Sequence, residues 1–90
     1  MELSERAIRK FEEEGFTSIY EHQDEPGAVY VEHSHPGKVS IFVTDGSTTF
    51  DFVEQTKEIV APRRFDIPAN TLHSAVVGPE GCIMIIAEGN

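Results

Sequence analysis

From Phe16 onward, short β-like runs alternate with turn residues, and this pattern limits the possible folds more than any other feature of the sequence. The pattern predicts strands near residues 16–22, 28–35, 38–44, 48–53, 56–61, 64–67, 73–77 and 82–88. The predicted turns between them include 24–27, 36–37, 45–46, 68–71 and 78–81. Many short strands with regular turns indicate a sandwich or barrel, not a parallel sheet. Immunoglobulin-like, jelly-roll and other closed β forms all fit the pattern.

The residues before Phe16 have the pattern of one amphipathic helix. The apolar residues that recur at helical spacing are Leu3, Ala7, Ile8 and Phe11. Since Gly15 follows as a stop, we predict a helix over 3–14 with a solvated charged face. The last strand, 82–88, is apolar on both faces, so its outer side needs cover from this helix or from a second subunit.

The length of 90 residues allows one small domain, 1–90, with the β-barrel over 16–88. A domain of this size buries a modest share of its surface, so we expect a homodimer. The chain has 7 basic and 16 acidic residues and a net charge of −9, which argues against nucleic acid or an anionic membrane as the main partner.

Cysteine usage and the apolar runs indicate the compartment. The one cysteine, Cys82, excludes an internal disulfide and fits a reducing environment. No basic and apolar leader pattern opens the sequence, and the longest apolar run, 82–87, is too short to span a bilayer. We therefore expect a cytoplasmic protein whose partner is a small molecule.

A His-x-His pair, His33 and His35, is the first chemical motif. Residues two apart on a strand share a face, with α-carbons roughly 6.7 Å apart. Metal–nitrogen bonds of about 2.0–2.1 Å let both rings reach one ion. By the same alternation, Val29 and Val31 share the histidine face, which predicts that the pair lies on an apolar, inward surface. A third candidate ligand, His73, opens a later strand after a turn.

These residues resemble the motifs of the cupin superfamily. The first cupin motif is Gly, five residues, His-x-His, three or four residues, Glu, six residues, Gly. The residues that match it are Gly27, His33, His35 and Gly46, while the Glu position falls on Val39. In the second motif Pro68 and His73 match, and the other positions are occupied by Pro62, Asn70 and Val77. Asn70 is a mild departure, because Asn tolerates a left-handed turn position.

The resemblance implies an all-β fold, the double-stranded β-helix or jelly-roll barrel, with one short N-terminal helix. It also implies one divalent metal ion held by His33, His35 and His73. The register of the family and the alternation of the strands predict a small apolar pocket. Its predicted lining is Val39, Ile41, Phe50 and Phe52.

Three neutral imidazoles without a carboxylate make the ion a stronger Lewis acid. Such a ligand set suits Zn, Ni, Cu or Fe(II), and the sequence does not choose among them. Asp66 and Glu32 are candidates for the missing carboxylate, although Glu32 alternates away from the histidines. His22 lies outside the motifs and is not expected to be a ligand.

Other reactive residues have plain interpretations. Cys82 is expected to be a small buried hydrophobe, and Arg63 and Arg64 a surface pair that offsets the acidic excess. We expect no acid or base in the cavity beyond the ligands.

Three functions follow from the resemblance. The first is a metal-dependent enzyme with dioxygenase, isomerase or lyase chemistry on a small molecule. The second is a binding or sensing barrel without turnover, and the third is a metal-free structural barrel in which Val39 marks a degenerate site. Catalytic residues, substrate and reaction type are not assigned by the sequence, because this fold hosts many functions.

Overall fold

A computed structural model describes residues 2–89, which form one α-helix and six β-strands. The elements are α1 (Leu3–Glu13), β1 (Ser18–Asp24), β2 (Val29–His33), β3 (Val39–Phe52), β4 (Thr56–Val60), β5 (Arg63–Ile67) and β6 (His73–Glu88). All strand pairs are antiparallel. No helix among the described residues is long and apolar enough to cross a membrane.

The long strands β3 and β6 pair with each other along both of their halves, and each half lies in a different layer. In one layer residues 48–52 and 73–77 are flanked by β4 and β2. In the other layer residues 39–45 and 82–88 are flanked by β5 and β1. Two strands shared by two layers make a double-stranded β-helix, so the predicted fold class is confirmed.

The predicted turns at 45–46 and 78–81 are wrong, because β3 and β6 continue through both segments. Gly46 opposes Cys82 and Thr48 opposes Val77, so residues 78–81 bulge out opposite Ser47 alone. Gly46 has a φ of +75°, and a Cβ on it would lie 1.9 Å from the carbonyl oxygen of Gly81. Glycine-rich segments of this kind form β-bulges as readily as turns, and the bulges bend each strand from one layer into the next.

The space between the layers is filled by one apolar core. Val39, Ile41 and Val43 point into it and are 6%, 3% and 0% exposed. Cys82 is also buried in this cluster, and burial raises the pKa of its thiol. The thiol is therefore a packed core group, as its apolar surroundings in the sequence indicate.

Helix α1 covers the outer face of the last strand. Its buried residues Ala7 and Phe11 pack with Phe16 against Ile85 and Ala87 of β6. The rings of Phe11 and Phe16 meet edge to face with centroids 5.5 Å apart. The sequence allowed either this helix or a second subunit to cover the outer face of the strand, and the structure shows that the helix covers it.

Arg64, on β5, forms hydrogen bonds that connect the end of α1 to this strand. Its guanidinium donates two hydrogen bonds to the carboxylate of Glu14, at 2.5 and 2.7 Å, and one from Nε to Oδ1 of Asp66 at 2.9 Å. The same group lies over the ring of Phe11, 4.9 Å from its centroid. The expectation of a plain surface pair is wrong for Arg64, because the docked helix brings a carboxylate and an aromatic face to it.

This ion-pair network predicts a dependence of stability on acid pH. The hydrogen bond from Arg64 lowers the pKa of Glu14. Burial acts to raise the pKa of Asp66, but its hydrogen bonds and the charge of Arg64 outweigh burial and lower it. Because both folded-state pKa values are lowered, their stabilisation is present above the unfolded values and is lost as pH falls through the folded ones.

We therefore expect the free energy of unfolding to fall between about pH 6 and about pH 3, and to fall less in Arg64→Met. The acid-induced loss of unfolding free energy should be smaller in Arg64→Met than in the wild type by about 1 kcal/mol or less, because the network is partly solvated. Urea unfolding at both pH values measures it. Arg63→Met is the matched control, since Arg63 is exposed and makes no ion pair within residues 2–89. An equal pH dependence in wild type and Arg64→Met would contradict this account.

Candidate metal centre and its cavity

Three histidines from two parts of the chain meet at one end of the barrel. His33 ends β2, His35 follows in the next loop, and His73 opens β6 directly opposite His33. Their potential ligand atoms all lie within 4.8 Å of one another. His73 is buried, with 3% exposure, and the other two are half-buried. The structure thus brings together the histidines that the sequence motifs singled out.

Backbone carbonyls orient two of the three rings. Nδ1 of His33 lies 2.7 Å from the carbonyl oxygen of Val31, and Nδ1 of His73 lies 2.8 Å from that of Thr71. A carbonyl oxygen can only accept, so each Nδ1 carries the proton and donates it. Each Nε2 therefore keeps its lone pair, which is the arrangement that a hydrogen bond from the other ring nitrogen produces in histidine metal sites.

The turn before His73 holds the loop of His35 in place. The backbone N–H of Asn70 donates to the carbonyl of His35 at 2.7 Å. Asn70 has a φ of +59°, in the left-handed region expected for this position. This hydrogen bond ties the two motif loops together.

The surroundings of His35 favour its neutral imidazole. Burial is the main cause that lowers the pKa of His35, and the nearby His33 and His73 lower it further. Metal ligation requires the neutral ring, so His35 already favours the protonation state that a metal needs.

No carboxylate of the described residues belongs to this cluster. Val39 occupies the Glu position of the motif and is buried in the cavity wall. Glu32 is exposed, and Asp66 is bound by Arg64. The two replacement carboxylates considered from the sequence are therefore not part of the donor set.

The prediction that Val29 and Val31 share the histidine face is wrong. These valines are 68% and 79% exposed, whereas Tyr30 lines the cavity. The cause is a β-bulge, because the register advances three residues on β2, from Tyr30 to His33, against two on β6. One extra residue reverses the alternation that simple strand geometry predicts.

A cavity of about 240 Å³ adjoins the three histidines. Its apolar wall includes Val39, Ile41 and Phe50, where the sequence places them, together with Ile67, Met84 and Ile86. Phe52 is not part of this wall, contrary to expectation. It is the last residue of β3 and lies at the end of the barrel, where it lines a neighbouring groove.

Sequence reasoning missed a polar wall of the same cavity. Its residues are Tyr20, His22 and Asp24 on β1, Tyr30 on β2 and Glu88 on β6. The expectation that the cavity holds no acid or base beyond the histidine cluster is therefore wrong. The available signal was the spacing of Tyr20, His22 and Asp24, which are two residues apart on one strand.

The polar wall is joined by hydrogen bonds. Nε2 of His22 lies 2.9 Å from Oδ1 of Asp24 and 2.8 Å from the hydroxyl of Tyr30. The hydroxyl of Tyr30 donates to the same Asp24 oxygen, and this bond is the main cause that raises the pKa of Tyr30 to about 12. Tyr20 donates to Glu88 at 3.1 Å, and burial is the main cause that raises the pKa of Tyr20.

No protein-family model and no curated protein sequence matches this chain. Among solved structures, the chain is similar to an RmlC-like cupin from Shewanella frigidimarina, with 24% identity, a TM-score of 0.68, and coverage of 78% of this chain and 62% of that chain. A cupin-like protein from Thermotoga maritima has 26% identity and a TM-score of 0.71, over 79% of this chain and 55% of that one.

The polyketide cyclase RemF from Streptomyces resistomycificus has 24% identity and a TM-score of 0.67, over 80% of this chain and 54% of that one. The chain thus spans less than two thirds of the length of each of these three structures.

Proposed function

We propose that this chain, a cupin superfamily member by its fold, binds one divalent metal ion through His33, His35 and His73 and acts on a small molecule in the adjoining cavity. The observation that carries the proposal is the convergence of the three imidazoles with Nδ1 of His33 and of His73 engaged by carbonyls. A donor set of neutral nitrogens suits Zn, Ni, Cu or Fe(II).

When bound, the metal would supply Lewis acidity to an oxygen of the small molecule, strengthened by the absence of a carboxylate ligand. The chain contributes the rest. Buried His73 and the carbonyl of Thr71 hold one ligand ring in a fixed orientation. The apolar wall, with Ile41 and Phe50, excludes water and favours an apolar body in the ligand.

The polar wall supports an enzyme more than a passive binding barrel, because it adds proton donors and acceptors to the same cavity. One protein of the same fold is named a polyketide cyclase. This fold can therefore hold an enzyme site for a small molecule, although a shared fold does not transfer the activity.

The test is elemental analysis of protein purified without a histidine tag, before and after incubation with Zn, Ni, Cu or Fe(II). We expect close to one equivalent of one metal per chain. Absence of metal even after reconstitution would reject the metalloenzyme and leave a ligand-binding or structural barrel.

We also propose that the protein is a homodimer, formed through an apolar patch of Val29, Val31 and Val76. Val29 and Val76 are register partners, and the three valines are 68%, 79% and 49% exposed. Strand β2 pairs with β6, and its other edge is unpaired within residues 2–89. Since the chain carries a net charge of −9, an uncharged patch is where two copies meet with least repulsion.

Sedimentation velocity tests this interface. We expect the wild type to have a mass near twice the 10.0 kDa of one chain, and Val76→Glu to have the mass of one chain. The matched control is Val53→Glu, because Val53 is 82% exposed and lies outside the patch. A monomeric wild type, or equal dissociation by both variants, would refute the proposed interface.

A further inference from the structure

His22 is a residue of the polar wall whose hydrogen bonds leave one of its two ring nitrogens free. We propose that His22, positioned by Asp24, exchanges a proton with an uncharged, largely apolar ligand that bears an acidic hydroxyl group such as a phenol. This inference rests on the proposed function only because both place a small molecule in the same cavity. It assigns to that cavity a ligand-contacting residue outside the three-histidine cluster and a ligand class.

The hydrogen bonds of Asp24 define the protonation of His22. The side chain of Asp24 is 8% exposed, and its Oδ1 faces both Nε2 of His22 and the hydroxyl of Tyr30. An ionised carboxylate only accepts, so Nε2 of His22 carries a proton and donates it. Nδ1 of His22 makes no hydrogen bond within residues 2–89. It is therefore the ring nitrogen left for a ligand, and the ring lines the cavity.

The other charged and titratable groups of the cavity select an uncharged ligand. Tyr20 on β1, Tyr30 on β2 and Glu88 on β6 share the wall with His22 and Asp24. The three clustered histidines lie at the same cavity, and neither Lys nor Arg is among its described lining residues. A permanently anionic ligand would meet two carboxylates and no cationic side chain of fixed charge, which disfavours it.

The apolar wall determines the remainder of the ligand. Six of the lining residues are large and apolar: Val39, Ile41, Phe50, Ile67, Met84 and Ile86. The cavity of about 240 Å³ is smaller than the roughly 300–1,000 Å³ of most ligand pockets. A single substituted ring with a hydroxyl group matches this size and polarity.

The proton transfer is balanced within the pair of reactants. The O–H bond of the ligand breaks and an N–H bond forms at Nδ1 of His22, while the electron pair stays on the ligand oxygen. The resulting imidazolium is stabilised by the carboxylate of Asp24 through Nε2. The proton returns to the oxygen when the ligand leaves, so no other reactant is needed.

The test uses 4-nitrophenol as the probe and metal-free protein, because its phenolate absorbs visible light and its phenol form does not. We expect the wild type to bind the probe as phenolate at a pH where the free probe is mostly phenol. Nitrogen NMR of the histidine rings should show protonation of Nδ1 of His22 on binding. Nitrobenzene, which lacks the hydroxyl, and 4-nitrobenzoate, which is anionic, should each bind roughly tenfold more weakly.

The deciding variant is His22→Gln, which keeps an N–H donor for Asp24 but cannot accept a proton. We expect it to lose the phenolate signal and to bind the probe roughly tenfold more weakly. Asp24→Asn tests positioning, and it should reduce the phenolate fraction and shift the nitrogen signals of His22. In Val53→Ala the phenolate signal should persist, because Val53 is 82% exposed and is not among the lining residues of the cavity.

Two outcomes would overturn the proposal. A phenolate signal that survives His22→Gln and disappears in His73→Ala would assign the proton to the histidine cluster. Failure of the wild type to bind the phenol better than nitrobenzene would reject the ligand class. Because the protein is metal-free, these results are independent of whether the three histidines bind a metal.

Discussion

Replacement of His73 by Ala is expected to abolish stoichiometric metal binding, with a loss of at least about 100-fold in affinity. His73 is the buried member of the cluster, and the carbonyl of Thr71 orients its ring. Without it two half-buried imidazoles remain, and no carboxylate of the described residues stands beside them to replace the lost donor. Even the loss of a group that only hydrogen-bonds a ligand typically lowers metal affinity by about 10–100-fold, so the loss of a ligand should lower it more.

The measurement is elemental analysis joined to thermal unfolding with and without the metal. A bound metal stabilises the wild type by about 2.7 kcal/mol at a free concentration of 100 times Kd, and the variant should lose this increment. His22→Ala is the matched control, because His22 is the remaining histidine of the chain and lies outside the cluster. Equal metal content in wild type and His73→Ala would show that the three histidines are not the site.

Replacement of Phe11 by Ala is expected to destabilise the protein by about 3–5 kcal/mol. Phe11 is 1% exposed and packs with Phe16 and Ile85 between α1 and β6. The change leaves a cavity there and removes the ring beneath the guanidinium of Arg64. Weaker docking of α1 would expose the apolar outer face of the last strand.

Urea unfolding measures the loss, and binding of a dye for apolar surfaces detects the uncovered strand. Leu3→Ala is the control on the same helix, because Leu3 is 42% exposed and its truncation should change stability by about 0.5 kcal/mol or less. A loss below about 1 kcal/mol in Phe11→Ala would mean that α1 contributes little to the fold.

The three clustered histidines could be singled out from the sequence because two of them are close neighbours and the third lies where the chain resembles the second cupin motif. His33 and His35 are two residues apart, and His73 follows a turn that begins at Pro68. Helix α1 was equally readable, since its apolar spacing depends only on the 3.6-residue period. The predicted helix over 3–14 differs from Leu3–Glu13 by one residue at its end.

Which residues of a strand face inward was harder to predict, because a single inserted residue reverses the alternation of faces. The bulge between Tyr30 and His33 turned Val29 and Val31 outward and Tyr30 inward. The glycine segments at 45–46 and 78–81 have turn composition, yet they bend continuous strands. A bulge and a turn require the same permissive backbone, so composition does not separate them.

By itself, the sequence determined that this is a β-rich chain with one amphipathic helix, and its resemblance to two cupin motifs singled out three histidines. The helix and the β-rich character follow from local periodicity along the chain. Only the tertiary structure decided that His22, Asp24, Tyr30 and Glu88 line the same cavity as those histidines. These four residues come from three strands, and the pairing of β1 and β2 with β6 brings them together. The largest separation along the sequence is 66 residues, from residue 22 to residue 88. Contacts of that range depend on strand register, which no local pattern encodes.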